Sequence, residues 1–181
     1  MIYVTKRIVE VCGRSIFPHP FPPAIITAMH IKQPNSDYCF VCGRKNPRGL
    51  YVTFYDNGRN EVYATHTIPD VYQGYPGVVH GGIVAALLDE VVARVAMIGD
   101  PHHFMMSVKL TVKYRQPVPT EKELTAVGRI IKLRGRLGKA IGEIRLPDGT
   151  VAAEAEMTLA DVPAELLANA NLDALGWRVD T

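Results

Sequence analysis

A glycine pair followed, two helical turns on, by a carboxylate is the part of this sequence best equipped for chemistry. Gly81 and Gly82 stand where a long apolar run begins. The first turn of a helix presents N–H groups without intrahelical partners, backed by the positive end of the helix dipole, and glycine lets another molecule approach that backbone closely. Such a turn is a receptor for a developing oxyanion. Asp89 follows on the same run. Around a helix, Glu90 and Arg94 stand about 40° apart, the favourable acid-to-base spacing, whereas Asp89 lies about 140° from Arg94. Glu90 therefore has a structural partner in prospect, and Asp89 has none.

The element that must position these residues is a helix over His80–Ile98, free of proline and charged only at Asp89, Glu90 and Arg94. It would be about 28 Å long. Three central charges and the lack of hydrophobic flanks argue against insertion in lipid, so the sleeve for so apolar a helix is a β-sheet. Leu50–Tyr55 and Glu61–Ile68 alternate as strands, with Asp56-Asn-Gly58 as turn chemistry between them. After the helix, Asp100-Pro101 breaks the run, and Phe104–Tyr114, Leu124–Leu133, Leu137–Leu146 and Thr150–Leu159 are four further strands. The order β-β-α-β-β-β-β predicts an α+β domain, one long helix in a mostly antiparallel sheet. Pro163–Ala170 reads as a short helix with Asp161 near its cap.

Composition sets the outer bounds. A chain of 181 residues, 48% apolar, suits one compact domain with a substantial core. Its net charge of +2 comes from dispersed basic residues, which argues against a nucleic-acid surface. Neither a secretory signal nor a spanning segment is evident, and a reducing cytoplasm is the expected compartment. Ile2–Val11 alternates like a strand, but Phe17-Pro-His-Pro-Phe-Pro-Pro23 cannot sustain helix or ladder. Residues 1–37 are expected to be a proline-rich arm, 38–160 the domain, and 161–181 a short helix and tail. Of three cysteines, Cys39 and Cys42 form a CxxC followed by Gly43. A zinc site wants four ligands, and the other cysteine, Cys12, lies across the proline-rich arm. A turn before the first strand is preferred to a metal or redox pair, and neither metal nor cofactor is expected.

The strand order resembles the hotdog fold, a curved antiparallel sheet around one central helix. Gly77-Val-Val-His80-Gly-Gly82, with Asp89 nine residues after the histidine, is similar to the signature of the PaaI-like acyl-CoA thioesterases. The likeness continues through Ser107-Val-Lys-Leu-Thr-Val-Lys-Tyr114 and Pro117, and the Cys39-Phe-Val-Cys42-Gly…Asn46-Pro-Arg-Gly49-Leu opening recurs in a subset of that family. The resemblance implies hydrolysis of an acyl-CoA thioester. Gly82, or its neighbour Gly81, would offer a backbone N–H to the thioester carbonyl. Asp89 would activate water or attack the carbonyl itself. Ser107 would help hold the nucleophilic water, and His80 would fix the helix start. The glycine turn and the acid of one site would come from different subunits, so a homodimer, or a dimer of dimers, is implied.

The sequence departs from the pattern upstream of the helix. Many relatives carry Asn or Gln six residues before this histidine, a position occupied here by Gly74. Gln73 is one residue further back, and a longer loop containing Pro76 could return its amide to the site. Lys132, Arg134, Arg136 and Lys139 flank a Gly135 turn and could meet CoA phosphates; the alternative is a solvated basic turn. Rival readings remain: an acyl-CoA-sensing module without catalysis, or a hydratase or dehydratase of the same fold. The second wants an acid/base histidine over the acyl chain, and His80 at the helix start fits that poorly.

Overall fold

The computed structural model describes residues 30–168 and 170–180. The expected strand at Ile2–Val11, the proline-rich arm and Cys12 lie outside the described residues. In chain order the elements are β1 (Ile31–Lys32), β2 (Tyr55–Asp56), β3 (Glu61–Thr67), β4 (Gln73–Tyr75), β5 (Val78–Val79), α1 (Gly81–Ala93), β6 (Met105–Tyr114), β7 (Glu123–Arg134), β8 (Leu137–Arg145), β9 (Val151–Asp161) and α2 (Ala164–Ala168). Seven strands form one antiparallel sheet in the order β1-β2-β3-β7-β8-β9-β6, and β4 pairs with β5 as a separate ribbon. With α1 packed against β3, β6, β7, β8 and β9, this is the hotdog fold.

The helix sits close on the sheet because the sheet has almost no side chains where it lands. Gly128 and Gly142 are directly opposed on β7 and β8. A Cβ on Gly128 would lie 2.3 Å from the Val91 carbonyl oxygen, and one on Gly142 would lie 2.4 Å from Val92 Cγ2. The same row runs on to Ala155 of β9. Over this floor Val84, Leu87, Leu88, Val91 and Val92 are fully buried. Each such side chain contributes about 1.5–3 kcal/mol relative to exposure, which is why an isolated-helix propensity argument is secondary here.

Two expected elements come out differently. The α-helix starts at Gly81 and ends at Ala93, with a 3₁₀ turn over Arg94–Met97, because His80 has extended backbone (ψ 135) and acts as its cap. Of Leu50–Tyr55 only Tyr55 is laddered. Leu50, Val52 and Phe54 are buried in alternation, as read from the sequence, but their backbones bond elsewhere. Leu50 and Val52 donate to the carbonyls of Phe40 and Val41, and the Phe54 carbonyl accepts from Gln33 N–H. The seventh strand, β1, was not foreseen. At the other end of the chain the tail folds back: Arg178 and Asn35 exchange backbone hydrogen bonds, and Trp177 Nε1 donates to the Pro101 carbonyl.

Candidate active site

His80 closes the start of α1 from its side chain. Its Nδ1 accepts the Gly82 N–H at 3.0 Å, so Nδ1 carries no proton in this arrangement. The cap commits Gly82. Ile83 and Val84 both donate to the His80 carbonyl, whereas the Gly81 N–H has no acceptor among the described residues. Of the two glycines offered by the sequence, Gly81 is the one whose N–H remains available. Its carbonyl is held from below by the Tyr114 hydroxyl, which donates at 2.8 Å from the end of β6. Sequence reasoning passed over Tyr114, and its contact with Gly81, as one position in a strand.

The upstream loop explains its own departure. A Cβ on Gly74 would stand 3.2 Å from both Cα and Cδ2 of His80, so the capping histidine leaves little room for Asn or Gln there. Gln73 uses its side chain locally: Oε1 accepts from the Gly77 N–H at 3.3 Å, bracing a loop in which Gly77 has a φ of +74°. Positive φ at that position favours glycine.

Asp89 lies two turns into α1, half-buried, and Ser107 reaches it with a side-chain hydrogen bond. Ser107 gets its direction from register. It pairs with the buried Leu159, on the helix side of the sheet; the ladder then slips at Val108 and resumes with Lys109 opposite Thr158. Bulges next to reactive groups commonly re-aim a side chain in this way. Burial pushes the Asp89 carboxyl above the ordinary aspartate range, the Ser107 hydrogen bond pulls it down, and neighbouring Glu90 pushes it up again. Glu90 itself pairs with Arg94, as the spacing predicts, at 2.9 Å.

The structure brings Asp89 and Ser107 together, and His80, Gly81 and Gly82 together, as two separate groups. Eight residues of helix separate Gly81 from Asp89, a span of about 12 Å. One carbonyl cannot touch both ends of that span. The four basic residues are elsewhere again. Lys132, Arg134, Arg136 and Lys139 are exposed around the β7–β8 turn. Lys132 stands directly opposite Lys139, and their row continues through Thr158 to Lys109 on β6, without an acid. Lys109 is the cation in this row that the sequence did not single out.

Residues 76–153 match the family model of the thioesterase superfamily. Among solved structures, a thioesterase superfamily protein is similar at 32% identity and a TM-score of 0.61, over 68% of this chain and 63% of that one. This chain thus spans less than two thirds of that relative's length. The Escherichia coli PaaI protein from the phenylacetic acid degradation operon is similar at 17% identity and a TM-score of 0.56, over 62% of this chain and 81% of its own. A hypothetical thioesterase from Streptococcus pneumoniae, solved with coenzyme A, is similar at 17% identity and a TM-score of 0.53, over 57% of this chain and 82% of its own. Both of the latter likenesses speak for the fold. Over residues 76–153 the chain is therefore similar to the thioesterase superfamily, and PaaI is among its structural neighbours.

Proposed function

We propose that this protein hydrolyses an acyl-CoA thioester at a site assembled from two copies of the chain. The observation that carries the reading is the separation just described: a half-buried carboxylate held by Ser107 at one end of β6, and an available Gly81 N–H held by Tyr114 at the other. Ser107 and Tyr114 are seven residues apart on one strand, about 23 Å. β6 is also the last strand of the sheet, with Met106, Val108 and Tyr114 exposed. An edge strand of ten residues is a template for pairing. Antiparallel pairing of two β6 strands about a two-fold axis near Leu110–Thr111 would set Ser107 and Asp89 of one copy against the partner's Tyr114 and the partner's Gly81.

In that geometry each group has a task. The Gly81 N–H receives the thioester oxygen as it becomes an oxyanion. Asp89 takes a proton from a water oriented by Ser107, the water oxygen bonds to the carbonyl carbon, and collapse expels the CoA thiolate, which leaves with the proton. Attack by the Asp89 carboxylate itself would use the same two ends. The Lys132–Lys139–Lys109 row fits the nucleotide phosphates, since like charges placed directly opposite each other are relieved by an anion.

The test is complementation. Asp89→Asn and Gly81→Pro should each be inactive in thiol release from acyl-CoA. Proline is tolerated at the first helical position, where it deletes only the N–H, and the extended backbone of His80 suits a following proline. Mixed under subunit exchange, half the dimers carry one site with both groups intact, so about a quarter of wild-type activity should return. A mixture no better than its parents would sink the shared site. Wild-type turnover by a folded Asp89→Asn would remove Asp89 from the chemistry, and a wild type that binds acyl-CoA but releases no thiol would leave binding without catalysis as the function.

A further inference from the structure

The sequence offered Cys39 and Cys42 without further ligands; the fold supplies a third. Glu90, one residue past Asp89, faces the cysteine turn from α1, with Oε2 3.7 Å from Cys39 Sγ. The two sulfurs and a Glu90 oxygen all lie within 4.8 Å of one another. We propose that Cys39, Cys42 and Glu90 form a binding site for a borderline-soft divalent cation of the zinc class, independent of the thioester reading.

Several features of the turn suit thiolate ligands. The N–H groups of Val41 and Cys42 both point at Cys39 Sγ, at 3.3 and 3.4 Å, and donors aimed at sulfur favour the ionised form that binds metal. The turn is closed by Gly43 N–H donating to the Cys39 carbonyl at 2.9 Å. A Cβ at Gly43 would lie 2.3 Å from that same oxygen, so the tight loop after the second cysteine requires glycine. Cys42 is buried and Cys39 half-buried, which leaves the Cys39 side open for water at a fourth position.

Charge balance points the same way. Glu90 is oriented through its other oxygen by Arg94, whose guanidinium also donates to the Pro34 carbonyl at 2.9 Å and sits over the Phe54 ring. A divalent cation with two thiolates, one carboxylate and this fixed guanidinium makes a neutral group. Second-partner support of that kind is what metal-binding carboxylates ordinarily have. A bound ion would tie the Ser36–Gly43 turn to α1 directly beside Asp89.

The experiment uses the full chain, reduced and stripped of metal, titrated anaerobically with Co²⁺ and then with Zn²⁺. The expected result is one ion per chain, a thiolate-to-cobalt charge-transfer band displaced by zinc, and a higher melting temperature with zinc. Cys39→Ser and Cys42→Ser should lose the band, and Glu90→Gln, which keeps a hydrogen-bond acceptor for Arg94, should weaken affinity at least tenfold. Should a cysteine variant melt below the titration temperature, Glu90→Gln reads the same band in a folded protein. A reduced wild type that shows no band, or a band that survives loss of both cysteines, overturns the site. So does a Cys39–Cys42 disulfide in the isolated protein whose reduction leaves no affinity for either metal.

Discussion

The two ends of α1 are built to opposite specifications. At its start the backbone is exposed, the residues are glycines, and the cap is a single histidine nitrogen on Gly82. At its close Arg94 is 1% exposed, paired to Glu90, bonded to the Pro34 carbonyl, and stacked over Phe54 with Trp177 beyond it at 5.9 Å. A helix needs one end firmly seated if the other is to hold an unsatisfied donor toward a substrate. Asp89 sits where the two regimes meet, buried enough to be perturbed and open enough to be reached.

The sharpest break in that comparison is at the meeting point. Asp89→Asn keeps size and hydrogen bonding to Ser107 but can neither take a proton from water nor attack as an anion. Turnover of acyl-CoA should fall by about 10²–10⁴-fold while ligand binding persists. Single-turnover thiol release beside a binding titration measures both. Loss of binding together with turnover would mean that Asp89 supports the cleft and does no chemistry.

The closed end should fail as a stability element. Arg94→Met fills much of the same volume but leaves the Glu90 carboxylate without its cation, and breaking a pair of this kind costs about 3–5 kcal/mol. Urea denaturation at neutral pH is the measurement. A cost under about 1 kcal/mol would put this pair with exposed ion pairs and remove the anchor from the comparison.

The open end should fail in rate with little loss of stability. Gly81→Pro should lower kcat by about 10²–10³-fold, the usual worth of one oxyanion donor. Gly81→Ala is the control, since its Cβ would meet the Tyr114 hydroxyl oxygen at an ordinary 3.5 Å and its N–H survives. Equal losses in the two variants would point to the Tyr114 contact as the sensitive feature.

Much of this was legible in the chain itself, and the gaps have a common cause. Helix periodicity identified the Glu90–Arg94 pair, and alternation with turn residues located β3 and β6–β9, because those signals are local. The half-strand at Leu50–Phe54 alternates correctly yet bonds to the Cys39–Gly43 turn and to Gln33, a choice made by residues distant in sequence. Glu90 meeting Cys39 across 51 positions, and Trp177 returning to Arg94, are of the same kind. Gly74 looked like a missing functional residue; it is the space His80 needs. The separation of the site into two groups could have been computed from helix rise alone.

The smallest expected effect tests how finely the Ser107 contact is tuned. Ser107 is exposed, and it reaches Asp89 only because the ladder slips at Val108. Ser107→Ala removes one hydrogen bond to the carboxylate or to the water between them, worth about 0.5–1.5 kcal/mol, or roughly twofold to tenfold in rate. Stability should barely move, because the side chain is exposed and alanine fits the strand. The loss should appear in kcat with KM unchanged if Ser107, as proposed, orients the attacking water and has no hold on the CoA moiety. A loss confined to KM would assign Ser107 to substrate binding, and a loss as large as that of Asp89→Asn would make the serine a reacting group in its own right. Neither agrees with a site in which the carboxylate does the chemistry and the hydroxyl sets its aim.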